Sequence, residues 1–136
     1  MFDAQFLHDY WEHWRLAEGD REERLRAERG SVAHERVSDA VESGNPDVVE
    51  LLVALAEAAP SDSDAGLIGA GPLEELLSVH GARLVTRDGA QLLDAIDTGA
   101  RRSARFRRAL RSAYMGDEVP APVRSRLQRF LGPPTP

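Results

Sequence analysis

Apolar positions fall at helical spacing along most of the chain. At about 100° per residue, Phe6, Leu7, Tyr10, Trp11 and Trp14 share one arc of about 140°. Gln5, His8, Asp9, Glu12 and Arg15 fill the other side, Asp3 is placed to cap the start and Gly19 to end it. Residues 20–29 hold four acids, four arginines and one leucine, which reads as a solvated helix rather than a mobile arm. Ser31 opens a weaker amphipathic stretch through Val32, Val37, Ala40 and Val41 that Gly44 closes.

Asn45-Pro46-Asp47 is a strong start signal, with a capping side chain, proline at the first helical position and an acid in the first turn. The apolar residues from Val48 to Ala56 then cover about 200° of a helix, the pattern of the most buried element of a fold. Pro60 to Asp64 read as a loop and Ala65 to Ala70 as a short turn of helix. Gly71-Pro72 restarts the chain into a segment that runs through Leu73, Leu76, Leu77 and His80 to Gly81. Residues 82–100 fit two readings. Asp88-Gly89 suits a hairpin turn, but Leu84, Val85, Leu92, Ala95 and Ile96 also share a helical arc of about 120°. Helix is preferred, because no other strand pair exists for a ribbon to join. Ser103 caps a helix carrying Phe106, Ala109, Leu110, Ala113 and Tyr114 on one stripe, and Pro120 or Pro122 opens a last one with Val123, Leu127, Phe130 and Leu131 inward.

The expected class is therefore all-α: a compact bundle of about six to eight short helices, or an irregular solenoid-like stacking of helical hairpins. One domain is expected over residues 1–131, with a proline-rich disordered tail at 132–136.

A resemblance follows from three pieces of sequence: Ile68-Gly69-Ala70-Gly71-Pro72-Leu73-Glu74-Glu75-Leu76-Leu77, then His80-Gly81, then Arg105-Phe106-Arg107-Arg108-Ala109-Leu110. At this spacing they resemble the shared core of a family of short uncharacterised bacterial proteins, over roughly residues 45–115. The resemblance implies an all-helical bacterial domain with no established activity, and it carries no functional residue over.

Composition narrows the chemistry. The chain has 136 residues and no cysteine, which removes disulfides, thiol nucleophiles and thiolate metal sites. All 17 basic residues are arginine, so no lysine is present for a Schiff base or a Walker-type phosphate contact. No apolar run approaches the roughly 18 residues that span a bilayer, and the start lacks the basic stretch of a signal peptide. The expectation is a cytoplasmic protein with no membrane attachment.

Charge is polarised. Residues 1–100 carry 21 acids and 8 arginines and residues 101–136 carry 2 acids and 9 arginines, so the net −6 resolves into −13 and +7. The aromatics are polarised too, with five before residue 15, three after residue 105 and none between, so the two ends are expected to pack together.

Four constellations invite a functional reading. His8 with Glu12 and Asp9 with His13 are i, i+4 pairs, but they match no zinc-binding motif and read as surface pairs. Gly66, Gly69 and Gly71 run in the wrong order for a dinucleotide loop and read as close helix approach. His80 near Glu74 and Glu75 has the makings of a general base, but no nucleophile is placed beside it, and capping of a helix C-terminus is the preferred role. The arginines at 101, 102, 105, 107, 108, 111, 124, 126 and 129 form a basic surface fit to grip phosphates. Pairing with the acidic part of the chain, or with another subunit, ranks above that use.

No cofactor and no metal are expected. The leading reading is a non-enzymatic module that binds another protein, of regulatory or immunity type, or that self-associates, through Arg107, Arg108 and Arg111 or through Glu74, Glu75 and His80. Nucleic-acid binding through the C-terminal arginines ranks below it, and an enzyme centred on His80 below that.

Overall fold

The computed structural model describes residues 3–28 and 31–131. Among them every regular element is helical. The tail at 132–136, expected to be disordered, lies outside the described residues, as do Arg29 and Gly30.

Local signals set most helix starts. Asp3 accepts the amide of Phe6 at 2.9 Å and opens α1 (Ala4–Ala17). Asp20 and Glu23 exchange side-chain to backbone hydrogen bonds of 2.8 and 3.3 Å, a capping box that starts α2 (Arg21–Glu28). Ser31 opens α3 (Val32–Ser43), and Gly44 ends it in the left-handed region at φ 68°, which a side chain resists. Asn45 Oδ1 accepts from Asp47 N as α4 (Asp47–Glu57) begins. α4 is the buried helix its pattern predicts: Leu51, Leu52, Leu55 and Ala56 are all in the core, and α5, α7 and α8 pack around it.

The next stretch departs from expectation. The segment read as a loop is already helical from Asp62, capped by Ser61, in α5 (Asp62–Ile68). Gly71-Pro72 does not restart the chain. A π-helical turn at Gly69–Leu73 carries Pro72 inside it and runs directly into α6 (Glu74–His80). Widening the turn accommodates a ring that lacks an amide proton and would clash in an ordinary helix.

Residues 82–100 are neither one helix nor a hairpin. A 3₁₀ turn at Gly81–Val85 is followed by a tight turn through Gly89, then by α7 (Ala90–Arg102). A Cβ on Gly89 would stand 1.9 Å from the Arg83 carbonyl oxygen, so the chain folds back on itself more closely than a continuous helix allows. Ser103 then ends α7 and caps α8 (Ala104–Ser112), accepting from Phe106 N at 3.0 Å. α8 stops before Tyr114, which is exposed instead of extending the apolar stripe. α9 (Ala121–Leu131) buries Val123, Leu127 and Phe130.

One hydrophobic core runs from Phe6 to Phe130. The two aromatic ends share it without being each other's main partners: α1 packs on α2 and α3, and α9 packs on α8, the 3₁₀ turn and α7. Trp11 Nε1 donates to the Leu55 carbonyl at 2.9 Å and ties α1 to the central helix.

Candidate functional site

Helix C-termini leave carbonyls without intrahelical partners, and cationic side chains are the natural donors to them. Much of the arginine cluster is used in this way. Arg105 Nη1 reaches the carbonyls of Ala56, Glu57 and Ala59, closest at 2.5 Å to Ala59, and caps α4. Arg107 donates to Ala100 and Arg101 at the end of α7. Arg111 Nε donates to Phe130 O at 2.9 Å at the end of α9.

His80 belongs to the same set. Its Nε2 lies 2.8 Å from Val41 O in the last turn of α3, and its Nδ1 lies 2.9 Å from Arg83 Nη1. A carbonyl only accepts and a guanidinium only donates, so the ring carries its proton on Nε2. It caps a neighbouring helix rather than its own, and the missing side chain at Gly44 makes room for it: a Cβ there would sit 2.6 Å from His80 Cε1. Glu74 accepts from the Tyr114 amide at 2.6 Å. Glu75 lies beside Tyr10, Trp14 and His34 at the α1–α3 cleft. The structure therefore does not gather His80, Glu74 and Glu75 into one site.

Three more of the arginines centre on Asp97, which sequence reading passed over. Its carboxylate is buried, with the side chain 4% exposed, and it meets Arg101 Nε and Arg129 Nη2 at 2.6 Å and Arg126 Nε at 3.0 Å. Burial alone would raise its pKa. Hydrogen bonds from Arg126 and Arg129 and the charge of Arg101 outweigh that and hold it below its ordinary value. Arg126 also reaches Asp94 at 2.7 Å. One signal was present in the sequence: Asp97 follows the buried Leu93 by four residues and precedes Arg101 by four.

The pairs expected on α1, His8 with Glu12 and Asp9 with His13, are replaced by other contacts. Glu12 pairs with Arg15 and Asp9 accepts from Gln5, while the His13 ring lies 4.3 Å from that of His34. Among the described residues no group of three or more His, Asp or Glu side chains is arranged to hold a metal. His34 stacks on Tyr10 at 4.1 Å, nearly parallel, and its Nε2 is buried with no hydrogen-bond partner among the described residues. Burial first, and then the neighbouring His13, push its pKa down to about 4, against a backbone contact to Tyr10 that favours the charged ring.

A prediction follows for acid stability. As pH falls below the ordinary 6.5, the unfolded chain takes up a proton that the folded ring refuses until about 4. Stability is full above 6.5 and declines across that window, by about 1–2 kcal/mol once solvent screening of the partly buried ring is allowed for. Urea unfolding of the wild type and His34→Gln at pH 7.5 and pH 5 measures it, and equal declines in the two proteins would disprove the assignment.

An opening not closed by such pairing lies between α4 and α7. Gly99 packs on Val53, where a Cβ would come within 3.0 Å of Val53 Cγ2, and Ser103 donates to the Glu57 carboxylate. The two helices therefore run in the same direction in register. Between them is a groove of about 490 Å³ lined by Val49, Val53, Ala95 and Gly99 along the floor and by Glu50, Gln91, Asp94, Thr98 and Arg102 at the rim. Volumes of this order accept ligands and short helices.

Comparison with known proteins adds one fact to this geometry. Residues 20–132 match a family described as a family of unknown function, DUF6869. The chain belongs to that family. The match is wider than the core at 45–115 that carried the resemblance, and it takes in α2 to α9, including the Asp97 cluster and the α4–α7 groove. α1 precedes it. No curated protein and no solved structure matches the chain.

Proposed function

We propose that the protein is a non-enzymatic docking domain that binds another protein through the α4–α7 groove. The observation that carries this reading is an open groove with an apolar floor and a polar rim, in a protein where six of the nine C-terminal arginines are already engaged in caps and ion pairs. The cleft beside α1 is lined by Glu12, Arg15 and Trp14, and there Arg15 is held by both Glu12 and Glu23. His80 is engaged at both ring nitrogens and Glu74 at a backbone amide, which favours structural roles for residues otherwise suited to acid–base work.

The capping roles of Arg105, Arg107 and Arg111 and the pairing of Arg101, Arg126 and Arg129 also favour a protein partner over nucleic acid, since phosphate binding draws on free cations. Among the described C-terminal arginines, Arg102, Arg108 and Arg124 remain without a partner. The expected result is a stoichiometric protein complex that survives nuclease treatment, with no retardation of DNA or RNA at about 50 mM salt, where electrostatic binding is strongest. Salt-sensitive retardation without a protein partner would reject the docking reading in favour of nucleic-acid binding.

A further inference from the structure

α1 is joined to the fold less completely than its aromatic residues suggest. Phe6, Tyr10 and Trp11 are buried, but three clefts run along its sides. One of about 370 Å³ opens between Trp14 and Pro60, one of about 330 Å³ between Leu16 and Val32, and one of about 250 Å³ between Trp14 and Pro72. Trp14 Nε1 on α1 and His34 Nε2 on α3 are buried without a hydrogen-bond partner among the described residues, so each side of the junction holds a polar atom that it does not satisfy. Across the junction run the Trp11 bond to the Leu55 carbonyl, the Tyr10–His34 stack and Arg36 over the Phe6 ring.

α2 adds little to this hold. It packs chiefly on α1, and among its described residues only Ala27 is buried. The chain reverses between the two helices over residues 18–20. A Cβ on Gly19 would lie 2.9 Å from Glu23 Cβ, and the Arg15–Glu23 ion pair of 2.6 Å pins the reversal. The family match begins at residue 20, inside this connector, so α1 lies outside the matched stretch.

We infer that α1 is an exchangeable helix: the surface beneath it, on α3 and α4, takes up α1 of a second copy of this chain, and the two copies trade α1 reciprocally about residues 18–20. The occupant is a second copy because the helix seen in this seat is α1 itself. An exchanged pair makes the same α1 contacts as a single chain, so concentration and the connector decide between the two forms. A three-residue connector that must reverse the chain favours the exchanged form, in which α1 and α2 point apart and no reversal is needed. The seat uses residues that the α4–α7 groove does not, so exchange stands apart from the docking reading above.

Two charge variants of the full chain test this. Arg15→Glu faces Glu23 with an acid and Glu23→Arg faces Arg15 with a base, so each variant opposes its own closed hairpin. Mixed in equal amounts, they satisfy both contacts only by exchange: the new acid of the first meets the new base of the second, and the native Arg15 of the second meets the native Glu23 of the first. By light scattering the mixture is expected to dimerise with an association constant at least about tenfold above that of either variant alone. The wild type is expected to form a dimer that grows from micromolar to millimolar concentration. Gly19→Ala, which crowds the reversal and favours continuous helix, is expected to shift it further toward dimer. A mixture no more dimeric than its components would overturn exchange, and so would a wild-type dimer that Gly19→Ala leaves unchanged. A wild-type chain monomeric throughout that binds a peptide of residues 3–18 would replace the second copy with a helix of another protein. One that stays monomeric and does not bind the peptide would make α1 a fixed part of the fold.

Discussion

Gly69→Ala is expected to destabilise the protein by about 3 kcal/mol or more, the largest effect of any single methyl group added to this fold. α5 and α8 cross antiparallel, Gly66 against Ser112 and Gly69 against Ala109, and the chain at Gly69 lies almost on the backbone of α8. A Cβ there would stand 1.6 Å from Ala109 O and 2.5 Å from Ala109 C. Those are backbone atoms inside a helix, so no rotamer change relieves the clash and α8 has to move as a unit. That movement would disturb the packing of α8 on α4 and the Ser103 cap that joins α7 to α8. Gly71→Ala, two residues along the same π turn, is the control, since nothing lies within 4 Å of its Cβ position. Its effect is expected within about 0.5 kcal/mol of wild type. Chemical denaturation of both variants measures the difference. Equal stabilities would mean that α5 and α8 are not in backbone contact.

That contrast shows what the sequence discloses and what it does not. Asp3, Ser31, Ser103 and Gly44 announce their helix ends because a cap acts within three or four residues of itself, and the structure places all four as caps. The breaks at 69–73 and 81–89 are different. What makes Gly69 and Gly89 necessary is a carbonyl oxygen brought up by folding, from Ala109 in one case and Arg83 in the other, and no local pattern announces either. Asp88-Gly89 did mark a turn, but periodicity in Leu84, Val85, Leu92 and Ile96 suggested a helix through it.

The arginines teach the same lesson for the candidate site. Their number and clustering were legible, and so was the charge complementarity that ranked internal pairing above phosphate binding. Their acceptors were not, because Arg105 reaches a carbonyl 46 residues earlier and Arg111 one 19 residues later. Glu50 and Arg102, the two charges the groove leaves unpaired, look in the sequence like any other solvated residues. They stand out only after the neighbouring charges have been assigned to their partners.

Asp97→Asn is expected to lose about 2–3 kcal/mol, the range for removing a buried carboxylate that accepts hydrogen bonds from charged donors. An amide keeps the shape and one acceptor oxygen, but it cannot balance three guanidinium groups. Arg101, Arg126 and Arg129 are each at least 40% exposed, so they regain water when the carboxylate is lost, and the cost stays below that of stranding buried cations. Asp94→Asn removes the neighbouring pair with Arg126, whose two side chains are 62% and 40% exposed, and is expected to change stability by no more than about 0.5 kcal/mol. The Asp97 pKa lies below its ordinary 3.8, so its contribution is fully present above that value and is lost as pH falls beneath it. This window is separate from that of His34, and urea titrations from pH 7 to pH 2.5 resolve the two. In Asp97→Asn the decline below pH 4 flattens while the decline between 6.5 and 4 remains. An Asp97→Asn protein as stable as wild type would mean the three arginines are held without it. Because the carboxylate binds α9 to α7, its loss also loosens the helix that forms one wall of the α4–α7 groove. Binding of a protein partner there is therefore expected to weaken in Asp97→Asn.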